Sequence, residues 1–311
     1  MMKIGLLGAG PLGQIHLKAL LQNPEIEIAG LYDPDAQKAR DIGQKYQVQV
    51  FAATQELIRQ SEIVDIVSPQ LSHPYLASEA IKNSKHVYLE QPVGSKPEEL
   101  VSLMELAGEA HVQVQVGFSD RFNPAFQTAL KYIKQPMYVE LRRSLSFDHA
   151  SDKSPVVNDI MPGDIDLVTS LIKANIKSVE ATAVNVFGNN PNLVNTRLAF
   201  DNGAVANITT SRIATGTTHE IRVYQEGSRL QIDLLNQKIY LLGSLGNKEE
   251  NIPETMPVTD QNLTKINAAL THLIHAVHHQ LDVSVSLSDA YHALKIAAMI
   301  NDKLSLVNSK I

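Results

Sequence analysis

Cysteine and tryptophan are absent from the 311 residues, and aromatic side chains make up only 5% of them. Without a thiol, disulfide frameworks, thiolate nucleophiles and cysteine-ligated zinc are excluded. No apolar run approaches the ~20 residues a membrane-spanning helix needs. An excess of positive charge is missing too: 27 Lys and Arg stand against 33 Asp and Glu, a formal net charge of −6. That balance argues against a nucleic-acid or anionic-membrane partner. A strand signal begins at Met2, so no signal peptide is expected and a cytoplasmic location is. What is present, 44% hydrophobic and 19% charged residues, describes a soluble globular chain. Its length predicts two domains.

The most informative stretch is the first. Met2-Lys3-Ile4-Gly5-Leu6-Leu7 is a short apolar run, Gly8-Ala9-Gly10-Pro11-Leu12-Gly13 follows at once, and Leu12, Ile15, Ala19 and Leu20 recur at helical spacing. Strand, G-x-G-x-x-G and helix together are the context a dinucleotide fingerprint requires. Gly8 permits the tight turn, Gly10 lets backbone N–H groups approach a pyrophosphate, and Gly13 lets helix and strand pack closely. The helix N-terminus behind Pro11 and Leu12 then holds the anion. A second strand, Ile26 to Tyr32, ends at Asp33, 20 residues beyond Gly13. A carboxylate there accepts from ribose hydroxyls and repels a 2′-phosphate, so NAD is expected as cofactor over NADP.

Strand and helix signals then alternate. Gln47 to Phe51 reads as a short strand, 55–59 as a helix, and Ile63 to Val67 as a strand buried on both faces. His86 to Leu89, ending at Glu90-Gln91-Pro92, and Val112 to Val116 complete the set. The alternation predicts a doubly wound parallel sheet. Ligands bind beyond the carboxyl ends of such strands, which places Gly8 to Leu12, Asp33, Ser68, Pro69, His73, Glu90 and Gln91 along one crevice.

From about residue 130 the pattern changes to 137–147, 178–187, 195–200, 204–212, 218–225, 229–234 and 237–242, all with strand character. Asp201-Asn202-Gly203-Ala204 is a strong hairpin turn. One helix is expected around 164–172, and helical periodicity returns at 261–280 and 287–305. The expected architecture is therefore α/β: a Rossmann domain over 1–120, then an α+β domain over 121–311 built on a large, mostly antiparallel open sheet. The C-terminal helices are free to pack back on the first domain. Alternating Val184, Leu198, Ile208 and Ile221 give that sheet an apolar face which helices or another subunit must cover.

With Gly8–Gly13, Asp33, His73, Lys85-His86-Val87 leading to Glu90-Gln91-Pro92, and Asp159 to Asp166 in view, the chain resembles the Gfo/Idh/MocA oxidoreductase family along essentially its whole length. Within that family it is most similar to nucleotide-sugar 3-dehydrogenases of the type acting on UDP-N-acetylglucosamine. That narrower likeness rests on Asp120-Arg121-Phe122-Asn123-Pro124, Arg142-Arg143 leading to Phe147-Asp148, Val157 to Leu167, and Asn202-Gly203-Ala204 continuing to Ser211-Arg212. The resemblance implies NAD-dependent hydride transfer from a sugar ring carbon, and a homodimer or homotetramer formed through the C-terminal sheet. Family members carry Glu-Lys-Pro and Asp-x-x-x-His; here Gln91 stands for the lysine and Gly163 for the histidine, leaving Asp159 of that trio.

Gln91 can hydrogen-bond but cannot take a proton. Three accounts stay open. In the first, a working dehydrogenase uses Asp159 or a neighbour such as His149, Tyr88 or Asp164 as base. In the second, a reductase acts on a substrate needing no strong base. In the third, an NAD- and sugar-nucleotide-binding pseudoenzyme serves as a sensor or partner subunit.

Arg121, Asn123, Arg142 and Asp164 are the substrate-binding candidates, since guanidinium forks match phosphate oxygens. Adjacent arginines in a strand face opposite ways, so at most one of Arg142 and Arg143 reaches a pocket. Asp159 and Asp164 also have a plainer reading, as helix-end acids. His272, His275 and His279 share a helical face, but no carboxylate is interleaved and no metal site is expected.

Overall fold

The computed structural model describes residues 1–68, 72–94, 96–147, 155–187, 190–243, 250–251 and 260–308. Residues 1–122 with 260–291 make one unit, and 123–259 with 292–311 make a second. No helix among the described residues is long and apolar enough to cross a membrane.

In the first unit, strands β1 (Met2–Leu7), β2 (Ile26–Tyr32), β3 (Ile63–Ile66), β4 (His86–Leu89) and β5 (Val114–Val116) form one sheet in the order β2-β1-β3-β4-β5. Every pairing in it is parallel. Helices α1 (Pro11–Gln22), α2 (Ala36–Tyr46), α3 (Thr54–Gln60), α4 (His73–Lys82) and α5 (Pro97–Ala110) supply the crossovers. The chain leaves β1 toward β2 and later returns to its other side as β3, so the switch point lies between β1 and β3. Ile4, Leu6, Leu7, Leu31, Ile63, Val64, Ile66, Val87 and Leu89 are all buried in this core. A later helix, α9 (Gln261–His279), packs on α1, where Asn23 Nδ2 donates to Thr271 Oγ1 at 2.8 Å.

The expected strand over Gln47 to Phe51 reduces to a single bridge between Val50 and Leu31. Gln47 terminates α2 with a left-handed φ of 56°, and the Val48 N–H turns back to the Gly43 carbonyl. Too few residues are then left extended to form a ladder. β5 starts two residues later than expected for a similar reason, because Val112 N–H is drawn to the Ala107 carbonyl at the end of α5.

The second unit is built on an eight-stranded sheet. Its strands are β6 (Pro136–Ser146), β7 (Ile176–Val184), β8 (Leu193–Phe200), β9 (Val205–Ala214), β10 (Thr218–Gln225), β11 (Ser228–Asp233), β12 (Lys238–Gly243) and β13 (Glu250–Asn251). They run in the order β13-β12-β11-β10-β6-β9-β8-β7, with β6 and β9 parallel and every other pair antiparallel. Gly203, at φ 87°, makes the β8–β9 turn. β7 stops at Val184 because the Asn192 side chain captures the N–H groups of Val186 and Phe187 at 2.9 and 2.8 Å.

Three helices, α6 (Pro124–Ala129), α7 (Val156–Asp159) and α8 (Met161–Leu171), lie against one face of this sheet. Register places Val139, Leu141, Leu198, Ile208, Ile221 and Val223 on that face, all fully buried. Val184 is out of step with them and 46% exposed. The apolar face is thus covered by helices of the same unit. The opposite face is polar, with Glu140 and Glu220 flanking Arg222 at 3.3 and 3.4 Å. A last helix, α10 (Leu287–Asn308), ends the described chain.

Candidate functional site

The turn after β1 is made of contacts only glycine permits. Gly8 has φ +118°, and a Cβ on it would lie 2.7 Å from the Val67 carbonyl oxygen. A Cβ on Gly13 would lie 2.1 Å from the Gly8 carbonyl oxygen, so helix and turn touch backbone to backbone. A Cβ on Gly10 would meet nothing within 4 Å. Gly10 therefore borders open space at the N-terminus of α1. No side chain caps that end and no acid occupies its first turn, while Pro11 removes one N–H that would have no partner. Positive partial charge is left unbalanced where an anion fits. Leu12 is partly exposed beside it.

Asp33 is brought to this turn. Its Oδ2 accepts from Ala9 N–H at 2.8 Å, and its Oδ1 from Asp35 N–H at 2.9 Å and from Lys38 Nζ at 3.3 Å. The carboxylate is almost buried and fixed in orientation, with its remaining lone pairs able to accept hydroxyls. The turn and the acid together fit a dinucleotide: N–H groups for the pyrophosphate, a carboxylate for the adjoining ribose.

Further along the same sheet edge, Ser68 Oγ lies 2.9 Å from Ser72 Oγ. His73 bridges two loops, its Nε2 2.5 Å from the Ser68 carbonyl and its Nδ1 3.0 Å from the Pro92 carbonyl. Pro69 lies outside the described residues. Glu90 Oε1 accepts from the Gln91 N–H at 2.8 Å, and the Gln91 side chain donates to the Gly117 carbonyl at 3.3 Å. The Gln91–Pro92 peptide is cis.

Sequence reasoning missed the charged group beneath these loops. His16 on α1 is fully buried, with Nδ1 2.9 Å from Asp65 Oδ2 and Nε2 3.2 Å from Glu90 Oε2. Burial alone would favour the neutral ring, but the Asp65 charge and the ring's donation to the Asp65 and Glu90 carboxylates outweigh it and raise the His16 pKa to about 10. Burial in turn pushes the Asp65 carboxyl up. The available signal was Asp65 itself, the lone charge in the otherwise apolar run Ile63-Val64-Asp65-Ile66.

The second unit gathers its own polar group. On the inner face of the sheet the row beyond the apolar ones is Thr210, Arg143 and His219, paired across β9, β6 and β10. Asp164, in the first turn of α8 and fully buried, meets all three: Thr210 Oγ1 donates to Oδ2 at 2.8 Å, and Arg143 Nη1 and His219 Nε2 lie 3.3 and 3.2 Å from Oδ1. Asp159, at the end of α7 and half-exposed, forms an ion pair with the nearly buried Arg212. Gly163 is buried inside α8.

Other candidates are placed differently. Arg142 is exposed on the outer face, and it is Arg143 that turns inward, as strand alternation requires. Asn123 is buried and its amide is used in structure: it caps α6 by accepting from Ala125 N–H at 2.9 Å and donates to the Leu234 carbonyl at 2.9 Å. Arg121 pairs with Asp289 at 3.4 Å. Of the possible bases, Asp164 is sealed among its partners, and Tyr88 is fully buried, which raises its hydroxyl pKa well above 10. His149 lies outside the described residues. Among the described residues no group of three or more His, Asp or Glu is arranged to hold a metal ion.

Comparison with known proteins agrees with this geometry. Residues 2–118 match the family model GFO_IDH_MocA, described as an oxidoreductase family with an NAD-binding Rossmann fold. The chain is 26% identical over 245 residues to UDP-N-acetylglucosamine 3-dehydrogenase of Acidithiobacillus ferrooxidans, covering 77% of this chain and 76% of that protein. It is 25% identical over 279 residues to the scyllo-inositol 2-dehydrogenase (NAD(+)) of Bacillus subtilis, covering 81% and 80%. A solved structure of the Acidithiobacillus enzyme matches with a TM-score of 0.91 at 23% identity over 97% of both chains, which establishes the fold. The glycine turn and the carboxylate tied to it both lie within the matched span, so residues 2–118 form a Rossmann domain of the kind the Gfo/Idh/MocA oxidoreductase model describes.

Proposed function

We propose that the protein is an NAD-dependent oxidoreductase moving a hydride between a ring hydroxyl carbon of a sugar or nucleotide sugar and nicotinamide C4. UDP-N-acetylglucosamine, named for the relative from Acidithiobacillus ferrooxidans, is the proposed substrate, oxidised at C3. The observation that carries the reading is the open backbone cradle at Gly10 beside Asp33, already anchored to Ala9. The bound cofactor accepts or gives the hydride; the chain's own residues bind, orient and handle the proton. Asp33 holds the ribose and disfavours a 2′-phosphate, so NAD is preferred to NADP. Asp159 takes the hydroxyl proton, because it is the half-exposed carboxylate of α7 and α8 while Asp164 is sealed. Arg212 fixes its orientation. Ser68, His73, Glu90 and Gln91 shape the reacting end of the crevice.

A second reading is favoured by two observations. Gln91 is tied to the Gly117 carbonyl and carries no transferable proton, and Gly163 offers no side chain at all. A well-placed acid–base group contributes about 10²–10⁴-fold, so a pseudoenzyme binding NAD and a sugar nucleotide is the rival. Reduced nicotinamide accumulating from NAD and UDP-N-acetylglucosamine, and lost in Asp159→Asn, supports the enzyme. Binding of both ligands with no turnover across a panel of UDP-sugars supports the rival. We also propose a cytoplasmic homo-oligomer assembled through the outer sheet face around Tyr138, Tyr224 and Asn207; light scattering that gives a monomer mass would rule that out.

A further inference from the structure

The charged group under the crevice has more acid than it needs. His16 sits between Asp65, whose carboxylate oxygens lie 2.9 and 3.1 Å from Nδ1, and Glu90, 3.2 Å from Nε2. A carboxylate hydrogen-bonded at Nδ1 and a second one 3.2 Å from Nε2 both favour the protonated ring, an imidazolium. One positive charge then stands against two negative ones. A structural ion pair is complete with His16 and Asp65 alone. Glu90 is the surplus, and it is firmly held: Gln91 N–H donates to it at 2.8 Å, and a Cβ on Gly117 would lie 2.6 Å from its Oε2. It stands at the carboxyl end of β4 and is 7% exposed, so water screens it little.

Sheet order says what lies above. With the pyrophosphate at Gly10 and one ribose on Asp33 at the end of β2, the second nucleoside runs the other way, over the ends of β3 and β4. In a nicotinamide dinucleotide that half carries the ring, cationic when oxidised and neutral when reduced. We propose that the net negative charge of His16, Asp65 and Glu90 makes this protein discriminate by oxidation state, binding the oxidised dinucleotide in preference to the reduced one. The inference rests on the reading that a dinucleotide lies across the glycine turn.

Calorimetry of the wild type and of Glu90→Gln with NAD⁺, NADH and ADP-ribose tests it, the last probe lacking the nicotinamide. In the wild type NAD⁺ is expected to bind more tightly than NADH. Glu90→Gln removes the surplus charge with little change in shape. It is expected to weaken NAD⁺ relative to NADH on the order of tenfold, with ADP-ribose changed less than about twofold. A wild type that binds NADH as tightly as NAD⁺ or more tightly overturns the inference without any variant. So does a Glu90→Gln in which the two nicotinamide forms weaken together. Failure of all three probes, ADP-ribose included, overturns the underlying cofactor reading instead.

Discussion

The two units hold their polar sites in opposite ways. In the first, the site is mostly backbone: a turn of three glycines, the free N-terminus of α1, and one carboxylate accepting from Ala9 N–H. In the second it is all side chain: Asp164 on a helix, facing Thr210, Arg143 and His219 from three strands. A backbone site tolerates few residue types and so writes a local pattern. A side-chain site drawn from strands that are distant in sequence leaves none. The difference also sets what each can lose. Removing one partner from a buried charged cluster strands the others, whereas adding one atom to a backbone turn blocks it.

The largest expected effect is therefore Asp164→Ala. It removes the buried carboxylate that Thr210, Arg143 and His219 all face, and should cost about 3–5 kcal/mol in denaturant titration; a loss under ~1 kcal/mol would mean the cluster is solvated and the contrast is false. Next comes the turn. Gly13→Ala puts a methyl against the Gly8 carbonyl and should cost about 1–3 kcal/mol. Gly10→Ala meets nothing in the protein and should leave the melting temperature alone while weakening NAD. Equal stability losses at the two glycines would break the distinction between a packing glycine and a cradle glycine.

A smaller effect follows from His16. Its pKa is about 10 in the folded chain and 6.5 ordinarily, so the native state holds a proton that the unfolded chain releases. This contribution is complete below about pH 6.5 and fades as pH rises toward 10. Melting temperatures over that range should fall more steeply for wild type than for His16→Gln; parallel slopes would show that the ring is neutral. Smallest is Arg142→Ala, on the outer face, expected within about 0.5 kcal/mol of wild type and without effect on turnover. Arg143→Ala should exceed it clearly.

Much of the fold was legible because periodicity survives folding. The β10 boundaries, Thr218–Gln225, were readable residue for residue, and the helices expected at 261–280 and 287–305 are α9 and α10. Where the sequence misled, a single side chain or carbonyl had captured an N–H: Asn192 truncating β7, Gly43 curling the chain after α2. Apolar alternation called for helices or another subunit to cover one face; α8 and its neighbours cover Leu198, Ile208 and Ile221, while register puts Val184 on the other side. The backbone turn and the carboxylate tied to it could be read from Gly8, Gly10, Gly13 and Asp33. His16 could not, since a histidine on a helix says nothing about the strand beneath it. Asn123 shows the converse: a polar residue in a suggestive motif whose amide is taken up by a helix cap and a carbonyl.

A dinucleotide lying across the turn after β1 is the central requirement, and thermal unfolding with added NAD tests it directly. At a concentration about 100 times its dissociation constant, a ligand bound only by the folded state adds roughly 2.7 kcal/mol. The wild type should show that rise in melting temperature and Gly10→Ala should show little of it. A wild-type melting temperature that does not move with NAD at any concentration would contradict the assignment.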